Sequence, residues 1–273
     1  MLKISAFADE ISDDLDLQIQ TLKANGAGFI ELRGVWGKNV LALSDAEVRE
    51  VKRRADANGI GFSAVGSPLG KFPLDGDFDL QLDGLKKALD IAQVLEAPYI
   101  RLFSFYTGDE DPSLSRGKVL DWLGRMILEA EKTPIVLAHE NEKGIYGDTG
   151  ERCLDLLTSL QSPAFTGIFD FANFVQCGQR PYQDCWLRLK PYISYFHIKD
   201  ALQGTGQVVP AGQGDGDVQA ILAEAFAGGF DNFLTLEPHL SLAEANYGRT
   251  SPELFHTAAD ALKTILSQVK INY

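Results

Sequence analysis

Short apolar, β-rich runs alternate along the whole chain with longer stretches of helical periodicity, and the unit recurs eight times. The runs fall at 3–7, 28–32, 61–65, 99–103, 135–139, 166–169, 193–198 and 232–236. They are nearly continuous in apolar residues, as strands covered on both faces are. Gly and Pro punctuation precedes several of them, at Asn25-Gly26-Ala27-Gly28, Asn58-Gly59, Ala97-Pro98, Thr133-Pro134 and Gly228-Gly229. Between them, Leu15, Ile19 and Leu22 recur on one helical face. Leu82, Leu85, Leu89 and Ala92 do the same over 80–95. Ser44-Asp45-Ala46-Glu47 is a capping box, and Ser251-Pro252-Glu253 opens a last helix with a cap followed by Pro.

Strands alternating with helices predict parallel β/α architecture. Eight units predict a closed, single-domain (β/α)8 TIM barrel spanning 1–273. A doubly wound open sheet usually has about five or six strands and a glycine-rich first turn. Here the first strand leads into Phe7-Ala8-Asp9-Glu10, with no G-x-G-x-x-G. The 45% apolar and 23% charged shares are ordinary for a globular chain of 273 residues. No apolar run reaches the roughly 18 residues of a membrane span. MLKISAFADEIS lacks the basic start and apolar middle of a secretory signal, so a cytoplasmic location is expected. Cys153, Cys177 and Cys185 contain no C-x-x-C pair and suggest neither a disulfide framework nor a zinc ribbon. The formal charge of −13 argues against a polyanionic partner such as nucleic acid.

In such a barrel the chemistry sits at the C-terminal ends of the strands. Those ends carry Glu31 and Arg33, Ser67, Arg101, His139-Glu140-Asn141-Glu142, Asp170 with Asn173, His197-Ile198-Lys199-Asp200, and Glu237-Pro238-His239. Units five to eight each bring a carboxylate or an imidazole to one side of the mouth. Three carboxylates together repel, and a divalent cation cancels that repulsion. Oxygen ligands with one imidazole suit Mn²⁺, Mg²⁺, Co²⁺ or Zn²⁺. The expected ligands are Glu140, Asp170, His197 and Glu237. Taken singly, Asp170 also reads as a helix cap and His197 as a core histidine. Arg101, an arginine within an apolar strand, is expected to face the pocket. Arg33, Asn173, Lys199 and His239 are further candidates to touch substrate. Lys199 and Asp200 are alternatively expected to pair with each other. Phe7 and Trp36 are candidate floor residues, Lys71-Phe72-Pro73 a candidate lid, and His256 a structural residue of the last helix.

His139-Glu140-Asn141, Phe169-Asp170-Phe171-Ala172-Asn173, His197-Ile198-Lys199-Asp200, the stretch 209–217 (VPAGQGDGD) and Leu236-Glu237-Pro238 together resemble the xylose isomerase-like TIM-barrel superfamily of sugar isomerases and epimerases. The resemblance runs over the whole chain and is strongest from 135 to 240. It implies that Glu140, Asp170, His197 and Glu237 bind the metal, and that Glu140 and Glu237 also move the proton. The implied reaction is isomerisation or epimerisation of a sugar or sugar phosphate through an enediolate. Two features depart from the epimerase members. Asn173 stands where many have His, and the stretch 201–204 (ALQG) lacks their Arg. A lyase acting on a keto-inositol or 3-keto-sugar is therefore the second reading. An endonuclease IV-like enzyme needs three zinc ions and more histidines than the four present. A non-catalytic sugar-binding subunit would not need the four ligands. The expected partner is a small sugar or polyol, without nucleic acid or membrane, and with a homo-oligomer left open.

Overall fold

Strands packed on both faces need apolar side chains in both alternating sets, and this chain supplies them in eight places. The computed structural model describes residues 2–108, 111–240 and 250–271. Its barrel strands are β1 (Lys3–Ala6), β2 (Phe29–Leu32), β3 (Gly61–Val65), β4 (Tyr99–Leu102), β5 (Val136–Glu140), β6 (Phe165–Asp170), β7 (Ile193–Ile198) and β8 (Phe233–Leu236). Each is parallel to the next, and β8 closes the barrel on β1 with Ser5 opposite Thr235 and Ala6 opposite Leu236. Among the described residues, besides a short helical stretch at 181–189, eight main helices follow the strands in turn. They are α1 (Leu15–Ala24), α2 (Asp45–Ala57), α3 (Phe78–Leu95), α4 (Pro112–Ala130), α5 (Gly150–Ser159), α6 (Phe171–Gln176), α7 (Val218–Ala227) and α8 (Pro252–Gln268). The expected single (β/α)8 barrel is the architecture found, with every strand end within one residue of the expected one.

Local signals set the helix starts. Asp14 accepts a hydrogen bond from Leu17 N at 2.8 Å, and both halves of the Ser44/Glu47 capping box are made. Ser251 caps α8 ahead of Pro252, whose missing N–H costs nothing at a first helical position. Each helix then buries one apolar stripe against the strands. Leu22, Leu85, Leu123 and Leu262, from four different helices, are completely buried in this outer core. Two short hairpins, Gly34–Val35 with Lys38–Asn39 and Asp200–Ala201 with Val208–Val209, were not expected from the pattern. Two-residue strands are too short to show a period.

The inner core is separate and sorted by height. Side chains two apart on a strand share a face. Phe29, Tyr99, Tyr195 and Phe233 enter from four strands and meet ring to ring, with centroids 5.1–6.4 Å apart. Ala64, Ala138 and Ile168 complete this apolar layer. Two residues onward on the same faces stand Glu31, Arg101, Glu140, Asp170, His197 and Thr235, with Glu237 two beyond Thr235. The lower barrel is a hydrophobic plug, and the chemistry is stacked on top of it.

The turn after β7 is held by one side chain. Asp200 is fully buried and accepts backbone N–H bonds from Ala201, Gly212, Gly214 and Gly216 at 2.9–3.0 Å. A Cβ on Gly214 would lie 2.4 Å from Asp200 Oδ1, so glycine is required for that approach. Asp200→Ala leaves four backbone donors, two of them buried, without their acceptor and is expected to cost about 2–4 kcal/mol, read as a lower urea midpoint with an unchanged slope.

Candidate active site

The four expected ligands come from four consecutive strands and converge. Glu140 ends β5, Asp170 ends β6, His197 lies in β7 and Glu237 follows β8. All four are buried, and each offers one ligand atom within 4.8 Å of the others. His197 Nδ1 is 3.0 Å from Glu140 Oε1 and 3.5 Å from Glu237 Oε2. On its other side, His197 Nε2 lies 3.2 Å from Glu31 Oε2. A metal-binding imidazole characteristically gives its second N–H to a carboxylate, which turns the remaining lone pair toward the ion. Glu31 supplies that carboxylate and is itself steadied by the Tyr195 hydroxyl at 3.3 Å. His197 Nδ1 and Asp170 Oδ2 are buried and make no hydrogen bond. Each has an ionisable neighbour at 3.0 Å, Glu140 and Lys199 respectively, and an imidazole nitrogen set among carboxylate oxygens fits a hard or borderline divalent cation.

The two oxygens of Asp170 face different partners. Its Oδ1 accepts Asn173 N at 2.7 Å and so caps α6, while Oδ2 faces the site. The cap and the ligand are readings of different oxygens of one residue.

Cations surround the carboxylates. Arg101 is 5% exposed and donates to Glu140 Oε2 at 3.1 Å and to Gly66 O at 3.3 Å. Its guanidinium lies over the rings of Phe7 and Phe103. Arg33 binds Asp9 at 2.7 Å and Glu237 Oε1 at 3.4 Å. Lys199 Nζ sits 3.0 Å from Asp170 Oδ2 and 3.2 Å from Glu237 Oε2. His239 Nε2 lies 3.1 Å from Glu10 Oε1 and 3.3 Å from Glu237 Oε1. Burial works against charge on Glu140, but His197 and Arg101 outweigh it and hold the carboxyl down at about 2. Glu237 is likewise held low against burial, by Lys199 and His239. Burial dominates at Asp170 and pushes it up to about 7. His197 also resists charge through burial, yet Glu140 and Glu31 raise it to about 10. The same balance, with Glu10 as the main opposing charge, lifts His239 to about 9.

A cavity of about 590 Å³ opens onto this cluster. Glu140, Glu237, Arg101, Arg33 and His239 line it, with Lys71 at its edge paired to Glu142 at 2.8 Å. Asn173 and Lys199 stand behind that wall. Asn173 Nδ2 donates to Asn141 O at 2.9 Å and Glu140 Oε1 at 3.4 Å, buttressing the glutamate. The expected pairing of Lys199 with Asp200 is not made. Neighbours on a strand point to opposite faces, so Lys199 shares the inner face with His197 while Asp200 turns outward to the glycine loop. Phe7 packs edge-on to His197 at 5.0 Å, whereas Trp36 packs on the outer core. His256 is on the exposed face of α8, bonded to Asn25 and Asp260. His139 faces away from the ligands toward Ser104, and burial lowers it to about 4. Glu10 and Glu31 carry structural weight here that their sequence positions alone did not assign. The available signal was a carboxylate two residues after Phe29 in an otherwise apolar strand.

The profile of the xylose isomerase-like TIM barrel family matches residues 19–265. No curated protein matches the chain. Among solved structures it is similar to a D-tagatose 3-epimerase-like protein, with TM-score 0.78 and 16% identity over 98% of each chain. It is also similar to an IolI protein with a bound zinc atom, with TM-score 0.77 and 17% identity over 98% of this chain and 99% of that one. A third is the probable 3-DHS dehydratase AsbF of Bacillus anthracis, with TM-score 0.74 and 17% identity over 96% and 98%. At such identities the likeness is one of fold. The family profile spans most of the sequence, and on that ground the chain belongs to the xylose isomerase-like TIM barrel family.

Proposed function

We propose that the protein is a metal-dependent isomerase or epimerase of a sugar or polyol that moves a proton beside a carbonyl. The observation that carries this reading is the pair of buried glutamates, Glu140 and Glu237, both lining the cavity with the imidazole of His197 between them. Glu140, Asp170, His197 and Glu237 would hold the divalent cation. When bound, such an ion supplies positive charge beside a carbonyl oxygen and favours an enediolate.

The rest falls to side chains. Arg33, Arg101 and His239 present donors along the cavity that can orient hydroxyl and carbonyl oxygens. One of the two glutamates removes the C–H proton, and the other, or the same one, returns it to the neighbouring carbon or the opposite face. Asn173 and Arg101 fix the rotamer of Glu140, while Arg33 and His239 fix that of Glu237. The apolar layer beneath keeps water from reaching the intermediate from below.

Elimination is the second reading, and His239 favours it. Its imidazole is 3.3 Å from Glu237 and a quarter exposed in the cavity, where it can hand a proton to a departing oxygen. AsbF, a probable dehydratase, is among the similar structures.

Incubation with Mn²⁺ and a panel of ketoses and keto-inositols in D₂O separates these readings. A product of the same composition as the substrate, apart from the solvent deuterium it carries at carbon, supports isomerisation or epimerisation. Loss of water supports elimination, and neither a rearranged nor a dehydrated product across the panel counts against both. Glu140→Gln and Glu237→Gln are each expected to lower kcat by about 10²–10⁴-fold with unchanged circular dichroism.

Metal uptake is expected to release protons. His197 in the metal-free protein keeps its second proton up to about pH 10, yet must lose it from Nδ1 to bind an ion. Apparent Mn²⁺ affinity should therefore climb between pH 6 and 8, by roughly tenfold per pH unit for each proton displaced. Calorimetry in buffers of different ionisation enthalpy counts those protons, and an affinity independent of pH would contradict the assigned ligand.

A further inference from the structure

Both oxygens of Glu140 are engaged, by His197 and Arg101, but Asp170 and Glu237 each have one oxygen held by other groups and one turned toward Lys199. Asp170 Oδ1 is taken by the N–H of Asn173, which leaves Oδ2. Glu237 Oε1 faces Arg33 at 3.4 Å and His239 at 3.3 Å, which leaves Oε2. The two remaining oxygens are the ones that Lys199 Nζ touches, at 3.0 and 3.2 Å. Lys199 is 4% exposed, so this ammonium has exchanged nearly all its water for those contacts. It arrives there because it lies two residues after His197, on the same inward face of the chain leaving β7. The following residue, Asp200, is tied down by four backbone N–H groups. The main chain at Lys199 is thereby fixed, and the ammonium can leave only by rotation of its own four-carbon stem.

We propose that Lys199 is the built-in counter-cation of the metal site: it occupies Asp170 Oδ2 and Glu237 Oε2 when no ion is present and must release both for a divalent cation to use them. The proposal rests on the metal site assigned above. Two like charges in one buried cluster are strongly unfavourable, so lysine and metal compete for the same oxygens. The lysine keeps the metal-free barrel from holding unpaired buried carboxylates, and it weakens metal binding by the free energy of the contacts it gives up. Metal loading becomes an exchange of one cation for another, with little change in the local charge balance.

The test is Mn²⁺ binding by the chelator-stripped full-length protein, measured by calorimetry and by the spin-resonance signal of free Mn²⁺. Lys199→Met is expected to bind Mn²⁺ at least about tenfold tighter than the wild type. Its metal-free melting temperature should fall below that of the wild type, and the rise on adding Mn²⁺ should be larger. Wild-type binding with equal or weaker binding by Lys199→Met overturns the counter-cation role and leaves the metal site standing. Binding by neither protein overturns the metal site, and this proposal with it. Should the stripped variant fail to fold, crystals of the wild type grown with and without Mn²⁺ decide the matter. Lys199 Nζ should bridge Asp170 and Glu237 in the stripped form and be separated from both in the loaded form; an unmoved Nζ beside bound Mn²⁺ overturns the proposal.

Discussion

A buried carboxylate is tolerated only when something positive or strongly hydrogen-bonding stands against it. The mouth of this barrel holds Glu10, Glu31, Glu140, Asp170 and Glu237, all at most 3% exposed. Their neighbours are chosen accordingly. Arg101 answers Glu140, Lys199 answers Asp170 and Glu237, Arg33 reaches Glu237, and His197 stands between Glu31 and the rest. Remove one member and at least one other is left as an unpaired buried charge. The site is therefore a single electrostatic unit, and its parts owe their geometry to one another as much as to the strands that carry them. The same unit is what a divalent cation would enter, so the requirement that builds the site also tunes it.

The barrel supports that unit by dividing its interior into two levels. Strand geometry places residues two apart on one face, so the register that brings Phe29, Tyr99, Tyr195 and Phe233 together also brings Glu31, Arg101, His197 and Thr235 to a common height. Burial of rings below stabilises the closure, and the polar layer above uses it as a rigid base. Asp200 and its three glycines then fix where the chain turns after β7.

Much of this was legible in the sequence, for definite reasons. Strands buried on both faces announce themselves as apolar runs, and helices between them show a period of 3.6; the closed barrel follows from having eight such pairs. Positions at strand ends, joined to a family resemblance, located Glu140, Asp170, His197 and Glu237, and the structure gathers all four. Which side chain meets which was less legible. Lys199 and Asp200 are adjacent in sequence and part in space, because a strand alternates. Asn173 reads as a substrate contact from its place after Asp170, yet its amide is spent on Glu140 and the carbonyl of Asn141. Glu31 needs Tyr195 and His197, more than 160 residues away, before its purpose is visible. Pairings across the barrel are set by register between strands, and no local pattern encodes them.

The ring layer at the bottom has one more consequence. Phe29, Tyr99, Tyr195 and Phe233 meet across the barrel axis and stop it like a cork. Traffic through the axis is thereby blocked, and whatever enters at the upper mouth leaves by the same door. On the function proposed above, reactant and product would take turns at one opening, past Arg33 and His239 on the cavity wall.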